Sequence, residues 1–416
     1  MVHYRRQRLI GRSPHAEVWE ALHPDGTRVA LKRTHGPAVS LRNEARNTAR
    51  LHHPGIVQVL DLGELDGEAI IVQELASGGA LPAAAAASWR EARDLLAELL
   101  YALAHAHARG VVHLDIKPGN LLRFETAPRV RLADFGIARA LGSATGTVAG
   151  TPSFMAPEQW RGDALRPATD LYALGCLGWL LLTGAPPFTG DADSLELAHA
   201  FSPLPPLRPV FAVPPATEAW LRGLLARDPL DRPRLAADAL AGLRQVDPAL
   251  PPAPALRRAR PAGLQLGALR EPVVQGRHAE KVALRAALAN LSGPRRVVLS
   301  GPPGSGKTAL CEWLATEAHA SGAAVVARMS RGLAAMVAEL LACEGADPEL
   351  REDRLDDALA TSAHLLPHDR GALGRLLDGD ALPAGELDAL LPRLLRHHAR
   401  GRSLVWLVED LPVRDG

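Results

Sequence analysis

The sequence predicts an α+β domain of two lobes, strand-rich first and helical second, followed by a linker and a partial α/β unit. Short apolar runs separated by turns fill the N-terminal part, as in Arg28–Lys32 (RVALK), Ile56–Leu60 (IVQVL) and Ala69–Gln73 (AIIVQ), which suits short strands. From Ser88 the period changes: Ser88 and Glu91 have capping-box spacing, and Leu95, Leu96, Leu99, Leu100 and Leu103 recur at helical spacing. A Pro-, Ala- and Arg-rich stretch, residues 246–271, has no sustained apolar period and separates this domain (1–245) from a second strand–glycine loop–helix pattern within 272–416.

A chain of 416 residues exceeds one ordinary core, which agrees with two domains. Its 47 Lys+Arg against 46 Asp+Glu give a net charge of +1, so it lacks the basic footprint of a dedicated nucleic-acid binder. Three widely spaced cysteines, Cys176, Cys311 and Cys343, form no CxxC pair, which favours a reduced, cytoplasmic protein without disulfides. The N-terminus has no signal-peptide pattern. The most apolar run, Leu171–Leu182, is shorter than the ~20 residues of a bilayer span and is expected to be a buried helix. Among the clustered His105, His107 and His113 no cysteine lies near, and no zinc site is assigned.

The chemistry-bearing residues come in a fixed order. Residues 9–21 read LIGRSPHAEVWEA, followed by VALK at 29–32, HLDIKPGN at 113–120, DFG at 134–136 and GTPSFMAPE at 150–158. Together they resemble the bacterial eukaryotic-type (Hanks-type) serine/threonine protein kinases, over about residues 4–245. The resemblance implies the bilobal protein kinase fold, with a small lobe over about 4–76 and a large lobe over about 77–245. It also implies ATP and Mg2+ as cofactors and protein Ser/Thr hydroxyls as acceptors.

Role by role, the resemblance makes Asp115 the catalytic base, Lys117 a γ-phosphate contact, and Lys32 the lysine that holds the α- and β-phosphates and pairs with Glu44. Asn120 and Asp134 become magnesium holders. Gly11, Ser13 and Ala16 stand at the three glycine positions of the phosphate-covering loop, two of them replaced by other small residues. Val18, Ala30, Glu74 and Ala76 complete the implied nucleotide contacts, with Gln73 behind the adenine site. Thr151 is expected to touch Asp115 and Lys117, Asp170 to anchor the catalytic-loop backbone, and Glu158 to pair with Arg232 in the large lobe. Leu114 replaces the arginine that in the family reads an activation-segment phosphate, so phosphorylation of Thr145 and Thr147 is expected not to be the main switch.

Past the linker, RRVVLSGPPGSGKT (295–308) has the GxxxxGK[ST] pattern after an apolar strand and before a helix, the setting of a Walker A anion cradle. Gly301, Gly304, Gly306 and Lys307 are expected to hold phosphates, and Thr308 a magnesium ion. A second expected strand, Leu404–Val408, ends in Glu409 and Asp410, which resemble Walker B acids as further metal ligands. With GRHAE at 276–280, the region resembles the start of an AAA- or STAND-like ATPase module, apparently truncated, for which nucleotide binding is expected and hydrolysis is not. The expectation is therefore a cytoplasmic kinase without specific nucleic-acid or membrane partners, modulated by this module. The alternative is a nucleotide-dependent signalling scaffold or transcription regulator with a weak or inactive kinase domain.

Overall fold

The computed structural model describes residues 4–13, 16–34, 45, 47–48, 51–65, 68–135, 139–140, 150–251, 276–289, 297–302, 305–321, 324–328, 333–341, 343, 348–399 and 402–407. The chain divides into two compact units, Met1–Pro272 and Val273–Gly416.

The first unit begins with a five-stranded antiparallel sheet in the order β1-β2-β3-β5-β4. Its strands are β1 (Arg5–Arg12), β2 (Ala16–Leu22), β3 (Arg28–Thr34), β4 (Val59–Leu65) and β5 (Glu68–Glu74). Alternation along these strands sends Ala21, Val29, Leu31, Ile70 and Val72 into one small core capped by Tyr4, while Ile71 and Val59 meet Ala45 in another. The expected strand at Ile56–Leu60 forms only from Val59 onward. Ile56 instead makes an isolated bridge to Leu132, and its side chain joins the large-lobe core. Burial against helices outcompetes extension of the sheet at that point.

Helix α1 (Trp89–His107) starts where the sequence places its cap: the Ser88 hydroxyl accepts the Glu91 N–H, and the Glu91 carboxylate accepts the Ala87 N–H. Its leucine face packs into the main core with α3 (Pro167–Thr183), after the short α2 (Pro157–Arg161). Almost all of α3 is buried, as its apolar sequence requires. Gly178 allows close approach to α5 (Thr217–Leu224): a Cβ there would lie 2.7 Å from Leu221 Cδ2 and the leucine tip would have to shift. Helices α4 (Ala192–Phe201) and α6 (Ala236–Val246) complete this lobe. Three short ladder strands, β6 (Val111–Val112), β7 (Leu121–Arg123) and β8 (Val130–Leu132), frame the loops between α1 and α2, and β9 (Arg139–Ala140) pairs with β6.

The Pro-rich stretch begins docked rather than free. Asp247 accepts hydrogen bonds from Trp89 Nε1 (2.9 Å) and Arg93 Nη1 (2.7 Å), and the Tyr101 hydroxyl donates to the Pro251 carbonyl (3.1 Å). These contacts lay residues 247–251 along α1.

In the second unit, α7 (His278–Ala289) and α8 (Lys307–Ser321) accompany two parallel strands, β10 (Ala324–Arg328) and β11 (Ser403–Leu407). Between the strands the chain inserts α9 (Leu333–Leu340), α10 (Pro348–Thr361), α11 (Asp369–Leu377) and α12 (Ala384–Ala399), which share their own apolar core. The strand expected just before the glycine loop does not form among the described residues: 297–300 pair with neither β10 nor β11, and Val297 and Val298 are 53% and 68% exposed. The second expected strand is present as β11, while Glu409 and Asp410 lie outside the described residues. No helix among the described residues is long and apolar enough to cross a membrane.

The large lobe is buttressed by Arg232 and Glu158, whose side chains are 0% and 1% exposed. Arg232 spends all five donors: two on the Glu158 carboxylate (2.6 and 2.8 Å) and one each on the carbonyls of Ala168, Ala226 and Arg227. Removing one partner leaves a buried charge uncompensated, so Arg232→Ala is expected to lower the unfolding free energy by about 3–5 kcal/mol, read from the shift of the urea midpoint. A second expectation concerns acid. Burial, aided by the Arg109 charge, pushes His53 down to about 4, and burial does the same to His199. Both imidazoles are neutral in the fold and protonate more readily once unfolded. Their contribution is present above the ordinary value of 6.5 and is lost as pH falls toward 4, which a series of thermal midpoints across that window measures.

Candidate active site

Four segments converge where the two lobes of the first unit meet. From the small lobe, β3 supplies Lys32, opposite Val18 of β2 and Ile71 of β5, with its side chain 7% exposed. Its ammonium group lies 2.6 Å from Asp134 Oδ1. Glu44, the expected partner of Lys32, lies outside the described residues.

The loop after β6 carries the other groups. Asp170, in the first turn of α3 and fully buried, accepts the backbone N–H groups of His113 and Leu114, both at 2.8 Å, and contacts His107 Nε2 at 2.8 Å. Held in this way, Leu114 adopts φ 71°, a conformation a residue with a Cβ takes only when its surroundings compel it. The next residue, Asp115, is thereby turned into the cleft. Lys117 Nζ lies 2.7 Å from Asp115 Oδ2 and donates to Thr151 Oγ1 at 2.7 Å, while the Thr151 hydroxyl donates to Asp115 Oδ1 at 2.7 Å. The Asn120 side-chain amide donates to the Asp115 carbonyl (2.8 Å) and to its carboxylate (2.9 Å).

A backbone bond from Ala133 to the Asn120 carbonyl (2.8 Å) joins this loop to the segment that ends in Asp134, which itself has φ 65°. His113 tightens the same joint. Its Nδ1 accepts the Asp115 N–H (3.2 Å), so Nε2 carries the proton donated to the Ala133 carbonyl (3.0 Å), and its ring packs edge-on against Phe135. Lys32, Asp134, Asn120, Asp115, Lys117 and Thr151 thus belong to one hydrogen-bonded assembly.

The glycine-loop positions are partly altered in consequence as well as in sequence. Ser13 bonds Ala16 through both its backbone N–H (2.8 Å) and its hydroxyl, which accepts the Ala16 N–H at 3.0 Å. One amide at the third glycine position is therefore turned toward Ser13. Gly11 sits opposite Val18, and Ala30 opposite Gln73. Glu74 is held by Arg131 (2.5 Å) beside the half-buried Ala76, a contact between β5 and β8 that nothing in local spacing announces. Gly136, Thr145 and Thr147 lie outside the described residues.

In the second unit Gly301 and Gly306 have φ 158° and 82°, the latter in the left-handed region that opens α8. Lys307 Nζ donates to the carbonyls of Gly301 (2.8 Å) and Pro302 (3.0 Å), curling over its own loop, and Thr308 is exposed at the helix start. Arg277, in the residues before α7, reaches the Ser305 carbonyl, a contact that sequence reading did not assign. Gly304 lies outside the described residues, as do Glu409 and Asp410.

Comparison with known proteins follows the same division. A protein kinase domain model matches residues 4–240, and an AAA ATPase domain model matches residues 273–412. The chain is 38% identical over 329 residues to serine/threonine-protein kinase PknA of Mycobacterium tuberculosis, covering 72% of this chain and 75% of that one. It is 35% identical over 226 residues to serine/threonine-protein kinase PknB of Mycobacterium leprae, covering 51% of this chain and 36% of the relative. With a matching kinase domain over more than half its length and such relatives, the chain belongs to the protein kinase family, as a Hanks-type serine/threonine kinase with a C-terminal AAA ATPase module.

Proposed function

We propose that Asp115 is the base of ATP-dependent phosphoryl transfer to protein serine and threonine hydroxyls, with Lys32, Lys117, Asn120 and Asp134 gathered around one triphosphate. The observation that carries this reading is the single assembly from Lys32 through Asp134 and Asn120 to Asp115 and Lys117. In it the acceptor hydroxyl gives its proton to Asp115 as its oxygen bonds to the γ-phosphorus, and the bond from that phosphorus to the ADP oxygen breaks. Lys117 and Thr151 fix the Asp115 carboxylate by one bond to each oxygen, which orients it before substrate arrives. Lys32, nearly buried, offers its ammonium group to the α- and β-phosphates.

The donor set suits magnesium. Both amide hydrogens of Asn120 are spent on Asp115, leaving its carbonyl oxygen as the available ligand, and the Asp134 carboxylate is 42% exposed toward the cleft. Magnesium takes one or two protein oxygens and completes its shell with phosphate and water. When bound there, magnesium neutralises charge on the phosphate oxygens.

We place the kinase domain at 1–245, the connecting segment at 246–271 and a nucleotide-binding module at 272–416 that modulates kinase output. The left-handed Gly306 and the position of Lys307 at the start of α8 support phosphate binding there. A second reading, a nucleotide-dependent signalling scaffold or transcription regulator with a weak or inactive kinase domain, draws support from the Ala16 amide bonded to Ser13 instead of being left for a phosphate.

Transfer of label from γ-labelled ATP to a generic protein acceptor separates the two. Asp115→Asn is expected to lower turnover by about 10²–10⁴-fold with the thermal midpoint retained, and an unchanged rate would leave the scaffold reading standing. Lys307→Ala is expected to change the wild-type kinase rate at saturating ATP, and an unaltered rate would remove the modulatory role of the second module.

A further inference from the structure

The catalytic loop and the end of the activation segment are joined by a side chain that the transfer chemistry does not itself use. Gln159 of α2 is 4% exposed. Its Oε1 accepts the Ala156 N–H at 3.0 Å, and its Nε2 donates to the Leu114 carbonyl at 3.0 Å. One amide therefore bridges two segments, with its orientation set by a donor on one and an acceptor on the other. Leu114 is the left-handed residue immediately before Asp115, and its N–H is already taken by Asp170. Rotating it toward an ordinary conformation breaks both bonds.

Gly150 passes close against the same contact. A Cβ there would lie 2.8 Å from Met155 Cγ, 3.2 Å from Gln159 Nε2 and 3.3 Å from the Leu114 carbonyl oxygen. Leu114 itself, 3% exposed, brings no charge with which to hold a phosphate.

We propose that Gln159 is a positioning residue for Asp115: its amide holds the catalytic loop against the segment ending in Glu158 through uncharged bonds, so the site is set without a phosphate on the activation segment. This rests on the reading of Asp115 as the base. Lys117 and Thr151 hold the Asp115 carboxylate, whereas Gln159 holds the backbone that delivers it.

The test uses the full chain, treated with a protein phosphatase and assayed for transfer to a generic protein acceptor. Wild type is expected to keep its rate after dephosphorylation. Gln159→Glu preserves the acceptor for Ala156 but sets a carboxylate against the Leu114 carbonyl. Its kcat is expected to fall by about 10²-fold at neutral pH, the scale of a small misplacement, with KM for ATP unchanged. As pH falls through the raised pKa of the introduced buried carboxyl, its protonated form donates again and kcat recovers, a limb absent from wild type.

A wild-type rate and pH profile for Gln159→Glu, with Asp115→Asn inactive, overturns the proposal and leaves the kinase reading intact. Asp115→Asn at full turnover overturns the kinase reading, and this inference with it. Hydrogen exchange in the wild-type protein decides the matter even if the variant does not fold. Equal protection of residues 112–116 with and without phosphatase treatment is expected, and faster exchange after dephosphorylation overturns the proposal.

Discussion

A buried carboxylate organises the active lobe. Asp170 sits without solvent in the first turn of α3 and is compensated by two backbone N–H groups and a histidine nitrogen. Desolvating such a group is costly unless every bond is made, so the loop that supplies those donors has little freedom to depart. Leu114 is held in the left-handed region as a result, and the direction of Asp115 follows from that single backbone turn. The chain of cause runs from the apolar sequence of α3, which buries it, through Asp170, to the carboxylate proposed to do chemistry.

Charged and neutral contacts divide the remaining work. The Glu158–Arg232 pair, with every guanidinium donor satisfied, fixes the start of α2 within the large lobe. Within the cleft the charged groups stand in pairs, Lys32 beside Asp134 and Lys117 beside Asp115, the groups proposed to meet a triphosphate. The tie between loop and segment is left to an amide, Gln159, and a hydroxyl, Thr151. The Gln159 bond to the Leu114 carbonyl joins two neutral groups, whereas the Thr151 hydroxyl meets the Asp115 carboxylate and the Lys117 ammonium group.

The second unit has a separate physical logic. The helices inserted between its two parallel strands build a core of their own from Met336, Leu340, Leu355, Leu373 and Leu394. Lys307 bends over the carbonyls of its own loop, as an ammonium group does when those are the nearest acceptors.

Much of the fold was legible because it is written in local patterns. The leucine period and Ser88 cap of α1, the apolar run of α3 and the alternating strands of the small lobe all describe themselves within a few residues. The patterns misled where burial was decided from afar: Ile56 left the sheet for the large-lobe core, and among the described residues Val297 and Val298 pair with no strand. The sequence by itself determined which chemical groups are present and in what order, since two lysines, two aspartates and an asparagine in their motifs are a property of the chain. Only the tertiary structure decided which partner each group takes, including Asp134 for Lys32, Arg131 for Glu74 and the Leu114 carbonyl for Gln159. Such partners stand many residues apart, and a hydrogen bond is chosen by the packing that brings donor to acceptor rather than by their spacing along the chain.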